Sequence, residues 1–463
     1  MTTTSIRAAA AYIDSWLAFR QCYLRVPGVQ AAILVEDEMV LSTAHGHADV
    51  ASATELTPTH LFRIASHSKT FTATAVMQLV ESGAVRLDDP LKSHLPWITG
   101  APKVADISVR EVLGHASGLF RDGDDGDFWQ LTRPFPDEDE LRALITDESA
   151  ILPPNERFKY SNIGYSLLGL VIAAAAGIPY NDYVTRNIVE RLELRDTYPE
   201  LAAERIADYA TGYTGISYRA DRIPIDHVDT RGMSAATGFT STAADVCRYA
   251  AAHFFGDDRL IGDASKRLMQ HQEWTVEEGG KDGYGLGLGI NTVGERRLVG
   301  HGGGYPGHST RTMLDPKERI AVSVLTNAID GPAQELADGV FKLIDLAEKS
   351  TDEPVGADAD RFCGRFANIW GVIDIARLGD QLLVLSPARP DPAESPSELR
   401  VESDDRLRVV KSLGYGAPGE AYQFDFDGDA VRSISGAGGM TFYPIESFTE
   451  QIADRARISA TGG

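Results

Sequence analysis

Residues 62–80 read FRIASHSKTFTATAVMQLV, and this run places Ser66 and Lys69 three positions apart. Residues three apart lie on the same face of a helix, so a helix here would hold the lysine amine beside the serine hydroxyl. Apolar side chains recur at helical spacing after Lys69, and Gly83 is typical of a helix end. The sequence therefore predicts a buried helix that begins at the Ser-x-x-Lys pair.

This pair is a candidate nucleophile and base. A serine hydroxyl is a poor nucleophile until a neighbouring base takes its proton. A lysine serves as that base only when burial or a nearby cation lowers its pKa far below the free value of ~10.4. The backbone N–H of Ser66, at the positive end of the helix, is placed to face a developing oxyanion. A lone Ser-x-x-Lys also fits a capping serine with a solvated lysine, and His67 fits the helix surface.

Composition argues against several classes of partner. The 463 residues carry 44 Lys and Arg against 67 Asp and Glu, a formal net charge of −23. This charge argues against nucleic acid and against an anionic membrane surface. Cys22, Cys247 and Cys363 lie far apart, without metal spacing or a disulfide framework, and this usage fits a reducing compartment. We expect neither a metal nor a cofactor.

The N-terminus gives an expectation about location. Residues 1–20 lack the basic, apolar and small-residue order of a secretory signal, and they fit an amphipathic helix instead. The longest apolar run, at residues 166–176, is shorter than the ~20 residues that span a bilayer. We therefore expect a cytoplasmic protein that does not bind a membrane.

The order of the patterns predicts an α+β fold. Apolar runs at residues 29–35 and 39–44 predict a hairpin, a block of helices follows, and strand patterns return between residues 283 and 327. A helix over residues 333–347 closes this part of the chain. The sequence therefore predicts one antiparallel sheet with a helical subdomain.

A change in texture predicts a second domain. Residues 348–357 form a polar linker with a proline, and beyond it six short strand patterns are separated by Gly, Asp and Pro. They predict a small antiparallel all-β barrel or sandwich over residues 358–448. The predicted organisation is a catalytic domain at 1–347, this linker, the β domain, and a tail at 449–463.

Two further stretches contain candidate site residues. Tyr160 and Asn162 form a Tyr-x-Asn before an apolar helix, where a phenol and an amide can point into a cleft. A tyrosine near two cations can lose its proton below its free pKa of ~10 and act as a base. Residues 298–308, LVGHGGGYPGH, predict a strand that leads to His301 and three glycines, whose backbone can approach a substrate closely. Alone, each pattern also fits a structural tyrosine or a simple turn.

The acidic loop between residues 120 and 140 has two interpretations. Residues 122–127 invite a calcium site, but they lack the register and the final Glu of an EF-hand loop, so a solvated loop is favoured. Phe128 and Trp129 follow, and they either line the rim of a cleft or anchor the loop on the body of the protein. The charge of this loop favours a cationic substrate nearby.

In this order, the three motifs resemble the serine β-lactamase and penicillin-binding fold, above all its class C and D-aminopeptidase-like branch, which also holds esterases. Supporting stretches are residues 83–90, 112–119 (VLGHASGL), 237–242 (TGFTST) and 284–287 (YGLG). The resemblance covers about residues 10–345. The C-terminal β domain resembles the lipocalin-like barrel that follows some D-aminopeptidase-like members.

The resemblance implies a role for each matching side chain. Ser66 would be the nucleophile that forms an acyl-enzyme, and Lys69 would lower the barrier to its deprotonation. Tyr160 would carry protons to the leaving group and later from water. Asn162 would hold Lys69 or a substrate amide.

The strand after Val299 would supply the rest of the site. His301 and Gly303 would support the substrate, and the N–H groups of Ser66 and Gly304 would form the oxyanion hole. His301 stands where many β-lactamases carry a lysine, and a histidine is mostly neutral at pH 7. Substrates with a carboxylate therefore lose an anchor, which favours aminopeptidases, amidases and esterases.

These observations favour a cofactor-free serine hydrolase that cleaves an ester or amide of a small molecule or short peptide, first among them D-residue amides. An acyltransferase and a weakly catalytic penicillin-binding or sensor protein are the alternatives. An acyltransferase would use the same residues, because water and an alcohol attack the same acyl-enzyme. The sequence leaves the acyl acceptor, the stereochemical preference and a homo-oligomeric state open.

Overall fold

The computed structural model describes residues 2–349, 354–413 and 417–452. The chain divides into two compact units, a larger one at Arg25–Ala337 and a smaller one that combines Met1–Leu24 with Asp338–Gly463. Part of the predicted linker, residues 350–353, and most of the predicted tail, residues 453–463, lie outside the described residues. Residues 445–452 are helical.

The described residues form α-helices in both units. Their bounds are α1 Thr2–Tyr23, α2 Ser68–Glu81, α3 Pro102–Ala105, α4 Val109–Leu113, α5 Glu138–Ala143, α6 Asn162–Ala176, α7 Tyr180–Val184, α8 Ser234–Thr237, α9 Ala243–Ala251, α10 Asp263–Gln270 and α11 Ala333–Glu348. Among the described residues no single helix is long and apolar enough to cross a membrane; the bent pair Asn162–Ala176 and Tyr180–Val189 meets that test by length and composition.

The larger unit contains a nine-stranded antiparallel sheet in the order β3-β2-β1-β13-β12-β11-β10-β9-β8. Two short ribbons, β4 with β7 and β5 with β6, complete its strands. The bounds are β1 Gly28–Val35, β2 Glu38–Asp49, β3 Thr54–Glu55, β4 Phe62–Arg63, β5 Gly212–Tyr213, β6 Pro224–Ile225, β7 Thr240–Ser241, β8 Trp274–Thr275, β9 Gly283–Tyr284, β10 Gly289–Val293, β11 Arg296–Tyr305, β12 His308–Asp315 and β13 Ile320–Thr326.

The centre of this sheet is made of strands without an exposed face. Every residue of β1, GVQAAILV, and of β13, IAVSVLT, is buried, which matches their almost uninterrupted apolar sequences. They pair antiparallel from Val29 opposite Thr326 to Val35 opposite Ile320. The sheet and helices confirm the predicted α+β fold.

The strand β11 changes its neighbours along its length. It pairs with β12 through Tyr305 opposite His308, whereas β10 pairs with it only as far as Gly300. Beyond Gly300, β11 therefore presents an edge without β10 beside it. His301 and the glycines that follow lie on this edge.

The smaller unit contains a closed antiparallel barrel of eight strands. Their bounds are β14 Gly364–Asn368, β15 Gly371–Leu378, β16 Gln381–Leu385, β17 Ser397–Ser403, β18 Arg406–Lys411, β19 Ala421–Asp427, β20 Ala430–Ser435 and β21 Thr441–Pro444. The predicted all-β barrel is confirmed, although the sequence patterns did not reveal β14 and β20. The barrel core is packed with buried side chains: Phe362, Phe366, Ile375, Leu382, Leu399, Leu407, Val409, Tyr422, Phe424, Ile434 and Phe442.

The structure groups the N-terminal helix with the barrel, whereas the sequence placed residues 1–347 in one domain. The Tyr12 hydroxyl donates to Asp374 Oδ2 at 3.0 Å, and Arg20 Nη1 donates to the Ala388 carbonyl oxygen at 2.5 Å. Local patterns cannot reveal such contacts, because their partners lie more than 360 residues apart in sequence.

Candidate active site

Ser66 lies in a tight turn at the start of α2. A 3₁₀ turn at Ala65–His67 leads directly into the helix, and Ser66 is half-buried between neighbours that are fully buried. Ala65, the residue before it, has φ +49°, a left-handed conformation that costs a non-glycine residue about 1–3 kcal/mol. The Ser68 hydroxyl donates to the Ala65 carbonyl oxygen at 2.6 Å and helps to hold this turn.

Lys69 reaches the serine from one turn into the helix. Its Nζ lies 3.1 Å from Ser66 Oγ and 2.7 Å from the carbonyl oxygen of Ala236 in α8. The side chain is fully buried, and this burial holds the pKa of Lys69 well below its usual value, against a smaller raising effect of Asp122. An uncharged amine beside a serine hydroxyl can accept its proton.

Tyr160 reaches the same serine from the loop before α6. Its hydroxyl oxygen lies 2.8 Å from Ser66 Oγ, and its ring lies 4.8 Å from Lys69 Nζ. Burial raises the pKa of Tyr160 well above its usual value, and this effect exceeds the lowering effect of the nearby Arg121. The hypothesis that Tyr160 ionises easily is therefore wrong for the free protein, because desolvation outweighs the neighbouring cation.

The loop that carries Tyr160 is fixed by His115. The His115 carbonyl oxygen accepts from Lys159 N at 2.7 Å, and its Nδ1 lies 3.2 Å from Ser161 N. Its ring packs 4.3 Å from that of Tyr160. Ser161 caps α6 by accepting from Gly164 N. His115 therefore positions the Tyr160 loop. In the sequence it was only part of the VLGHASGL stretch and had no predicted role of its own.

The glycines of β11 pass directly behind the nucleophile turn. A Cβ at Gly303 would overlap the carbonyl oxygen of Ile64, whereas one at Gly304 would meet no atom within 4 Å. Gly303 therefore permits the close approach of strand and turn, and Gly304 faces open space. The predicted roles of Gly303 in substrate support and of the Gly304 N–H in the oxyanion hole stay predictions.

His301 is held as a neutral ring at the start of this edge. Its Nδ1 lies 2.5 Å from the Gly302 carbonyl oxygen, which can only accept, so Nδ1 carries the proton. Nε2 lies 3.1 Å from the Tyr284 hydroxyl. Burial holds the pKa of His301 well below its usual value. The expected uncharged group at this position is present.

A cavity of about 420 Å³ opens beside these groups. Two guanidinium groups, those of Arg121 and Arg311, line it together with Tyr160 and His301 of the site. The other lining residues are Phe158, Val276, Asp282, Gly283, Tyr284, Gly289, Asn291, Gly302 and Gln334. Arg311 lies opposite Gly302 in the strand register and donates to Asn291 Oδ1 at 2.6 Å. A positive charge therefore does lie next to His301, contrary to the expectation that this edge has no anchor for a carboxylate.

Asn162 does not hold Lys69, and its alternative role, holding a substrate amide, stays a prediction. Its Nδ2 donates to Asp122 Oδ1 at 2.7 Å, and no described residue contributes a hydrogen bond to its Oδ1. Lys69 is held by Ala236 instead. No local sequence pattern indicates the contact with Asp122, which lies 40 residues away in an acidic loop interpreted as solvated.

The sequence left two interpretations open for Phe128 and Trp129, the rim of a cleft or an anchor of the loop. Phe128 is 1% exposed and packs 4.9 Å from the ring of Phe135, so it anchors the loop and does not rim a cleft. Trp129 donates through Nε1 to Asp122 Oδ1 at 2.9 Å.

The surface interpretation of His67 is wrong. This side chain is buried, and its Nδ1 lies 2.8 Å from the Ile64 carbonyl oxygen. Burial lowers the pKa of His67 to about 4.

The antiparallel sheet with its helices and the cluster of Ser66, Lys69 and Tyr160 match the β-lactamase fold. The family model described as Beta-lactamase matches residues 18–344, and the chain belongs to this family. Proteins similar to this chain include a penicillin-binding protein and a D-amino acid amidase.

Three relatives illustrate the range. Penicillin-binding protein 4* of Bacillus subtilis (strain 168) is 28% identical over 311 residues, which cover 63% of this chain and 66% of that protein. The D-amino acid amidase from Ochrobactrum anthropi SV3, complexed with L-phenylalanine amide, is 26% identical with a TM-score of 0.62, covering 73% of this chain and 98% of the amidase. The octameric penicillin-binding protein homologue from Pyrococcus abyssi is 24% identical with a TM-score of 0.66, covering 92% and 97%.

These similarities have different weight. The chain spans 60–66% of the length of the first curated relatives that it matches. The likeness to the Pyrococcus abyssi protein shows a shared fold alone. What these proteins bind or cleave therefore enters only as a proposal for this chain.

Proposed function

We propose that this protein is a cofactor-free serine hydrolase that forms an acyl-enzyme on Ser66 and cleaves a small amide or ester, with D-aminoacyl amides and short D-residue peptides as the first substrate class. One observation carries the proposal: Lys69 Nζ and Tyr160 OH both lie within 3.1 Å of Ser66 Oγ. The cavity beside Tyr160 and His301 offers space for a small substrate.

Acylation follows from the protonation states of the site. Uncharged Lys69 takes the Ser66 proton as Oγ attacks the substrate carbonyl carbon and a C–O bond forms. The N–H groups of Ser66 and Gly304 receive the oxyanion. Collapse breaks the bond to the leaving group, and Tyr160, which is protonated, donates to that group and recovers a proton from Lys69.

Deacylation runs through the same groups. A water gives its proton through Tyr160 to Lys69 and attacks the ester carbonyl carbon. The ester C–O bond breaks, the acid leaves, and Ser66 regains its hydrogen. Besides the substrate and this water, every group that these steps use belongs to the chain.

The substrate class has two supports. The neutral His301 does not attract a carboxylate, and the amidase from Ochrobactrum anthropi SV3 shares the fold at 26% identity. The test compares wild type and Ser66→Ala on D- and L-aminoacyl p-nitroanilides and p-nitrophenyl esters, with mass spectrometry of Ser66. We expect turnover of D-anilides that depends on Ser66; equal turnover by Ser66→Ala would refute the proposal.

Arg311 favours a second candidate function, the binding of carboxylate-bearing substrates such as β-lactams. Its guanidinium lines the cavity beside Gly302 and could pair with a carboxylate. Nitrocefin turnover and benzylpenicillin adducts on wild type and Arg311→Gln test this candidate. A Ser66 adduct that Arg311→Gln weakens at least tenfold would support it, and no adduct in wild type would exclude it.

Assembly into a homo-oligomer is a separate proposal. It is supported by the description of the Pyrococcus abyssi homologue as octameric and by the alignment over 92% of this chain. Light scattering of the purified protein tests it, and a mass near that of one 50.1 kDa chain at micromolar concentration would refute it.

A further inference from the structure

Asp122 fixes the orientation of the Asn162 side chain. Asp122 Oδ1 accepts from Asn162 Nδ2 at 2.7 Å and from Trp129 Nε1 at 2.9 Å, while Arg121 Nε lies 3.2 Å from Oδ2. Both oxygens of this carboxyl group therefore act as acceptors, Oδ1 of two hydrogen bonds and Oδ2 beside the guanidinium. An amide oxygen placed 2.7 Å from Oδ1 would be repelled, so the nitrogen of Asn162 must face Asp122.

The carbonyl oxygen of Asn162 is therefore the atom left for another partner. Asn162 is 3% exposed, and within the described part of the chain its Oδ1 has no hydrogen-bond donor. A buried acceptor without a donor destabilises the site that contains it. A bound group that donates a hydrogen would remove this penalty.

Asp122 and Asn162 are linked to the reacting groups through the chain and through charge. Asn162 follows Tyr160 by two residues, and the Tyr160 hydroxyl lies 2.8 Å from Ser66 Oγ. The charge of Asp122 acts on the pKa of Lys69, so its field extends to the catalytic amine. Arg121, which pairs with Asp122, lies 5.6 Å from the Tyr160 ring and lines the cavity.

We propose that Asp122 and Asn162 form a subsite for a substrate ammonium group, so that the enzyme selects acyl groups with a free amine over N-acylated ones. This inference rests on the proposed function. A protonated amine can donate to Asn162 Oδ1 and is stabilised by the Asp122 carboxylate.

Acylation of the substrate amine removes both advantages. It removes the positive charge that Asp122 attracts, and it adds a carbonyl oxygen that needs a donor. The Asn162 oxygen cannot supply it, because an amide oxygen only accepts, and one of the two Nδ2 hydrogens is already donated to Asp122. The orientation of one buried amide therefore decides which acyl groups the site accepts.

The first experiment measures binding without relying on turnover. A fluorophosphonate labels Ser66, and D-alaninamide or N-acetyl-D-alaninamide protects it from labelling. We expect wild type to be protected by the free amine at concentrations roughly 10- to 100-fold lower than by the acetylated amide, the range of one charge-assisted hydrogen bond. Asp122→Asn should bring the two protection constants together.

Asp124→Asn is the matched control, because it removes an exposed carboxylate from the same loop. It should keep the wild-type ratio of protection constants. Should Asp122→Asn unfold, as thermal melting would show, Asn162→Ala removes the proposed acceptor directly and should also abolish the ratio. Alanine p-nitroanilides with free and acetylated amines then report the same ratio as kcat/KM.

The outcomes separate this inference from the proposed function. Equal protection by both ligands, or by neither, would overturn the ammonium subsite while a labelled Ser66 leaves the hydrolase standing. Equal losses of kcat on both anilides in Asp122→Asn would mean that the pair acts only through Lys69, which also overturns it. A wild-type Ser66 that does not react with the fluorophosphonate would instead refute the proposed function.

Discussion

Gly303 lies against the carbonyl oxygen of Ile64, two residues before the nucleophile, with no room for a side chain between them. This contact brings the β11 edge to the back of the Ser66 turn. It also distinguishes two adjacent glycines, because Gly304 faces open space on the same strand.

The first prediction concerns this pair of glycines. Gly303→Ala should lose most activity and about 1–3 kcal/mol of unfolding free energy, because the new methyl group collides with backbone and forces the strand from the turn. Gly304→Ala keeps its N–H and should remain folded with measurable activity. Urea unfolding measures the stability of the two variants, and kcat on an ester measures their activity. Equal values for the two variants would show that β11 can move away from the Ser66 turn without cost.

The second prediction is the pH dependence of acylation. The active form of Lys69 is the neutral amine, so kcat/KM should rise with pH through the lysine pKa and then level off. Because burial lowers that pKa, the rise should lie well below the ~10.4 of a free lysine. Stopped-flow acylation across pH measures it, and a rise centred near pH 10 would contradict the assignment of Lys69 as base.

Lys69→Arg provides the control for that profile. A guanidinium remains protonated at every accessible pH, so this variant keeps a positive side chain and should show no rise at all. If Lys69→Arg kept the wild-type rise of kcat/KM with pH, a group other than Lys69 would be responsible for that rise.

The third prediction separates the roles of Tyr160 and Lys69. Tyr160 stays protonated in the free protein, so it acts as a donor to the leaving group. Tyr160→Phe should lower kcat for anilides by roughly 10²- to 10⁴-fold, because an anilide nitrogen needs a proton to leave. p-Nitrophenyl esters, whose leaving group needs no proton, should lose far less; equal losses on both would argue that Tyr160 deprotonates Ser66.

The fourth prediction concerns Phe128. Its ring is buried against Phe135, so Phe128→Ala should destabilise the protein by roughly 3–5 kcal/mol. Gln130→Ala, at an exposed position in the same loop, should change stability by less than about 0.5 kcal/mol. Denaturant unfolding measures both. A Phe128→Ala protein with wild-type stability and an altered KM would instead indicate that this ring contacts the substrate.

Much of the architecture was readable from local patterns. The helix after Ser66 and the antiparallel hairpin at the N-terminal side of the sheet each depend on residues close in sequence, and both are present. The sequence patterns did not reveal the barrel strands β14 and β20. The strand β20 contains no run of more than two apolar side chains. The association of α1 with the barrel depends on contacts across more than 360 residues, which no local pattern encodes.

The sequence by itself determined that Ser66 and Lys69 share a helix face and that a glycine-rich strand follows His301, because spacing and residue type are local properties. Only the tertiary structure decided which group is ready to accept a proton. Burial lowers the pKa of Lys69 and raises that of Tyr160, and desolvation depends on what the rest of the chain packs around each group. The orientation of Asn162 and the place of Arg311 beside Gly302 were decided in the same way, by partners brought from distant segments.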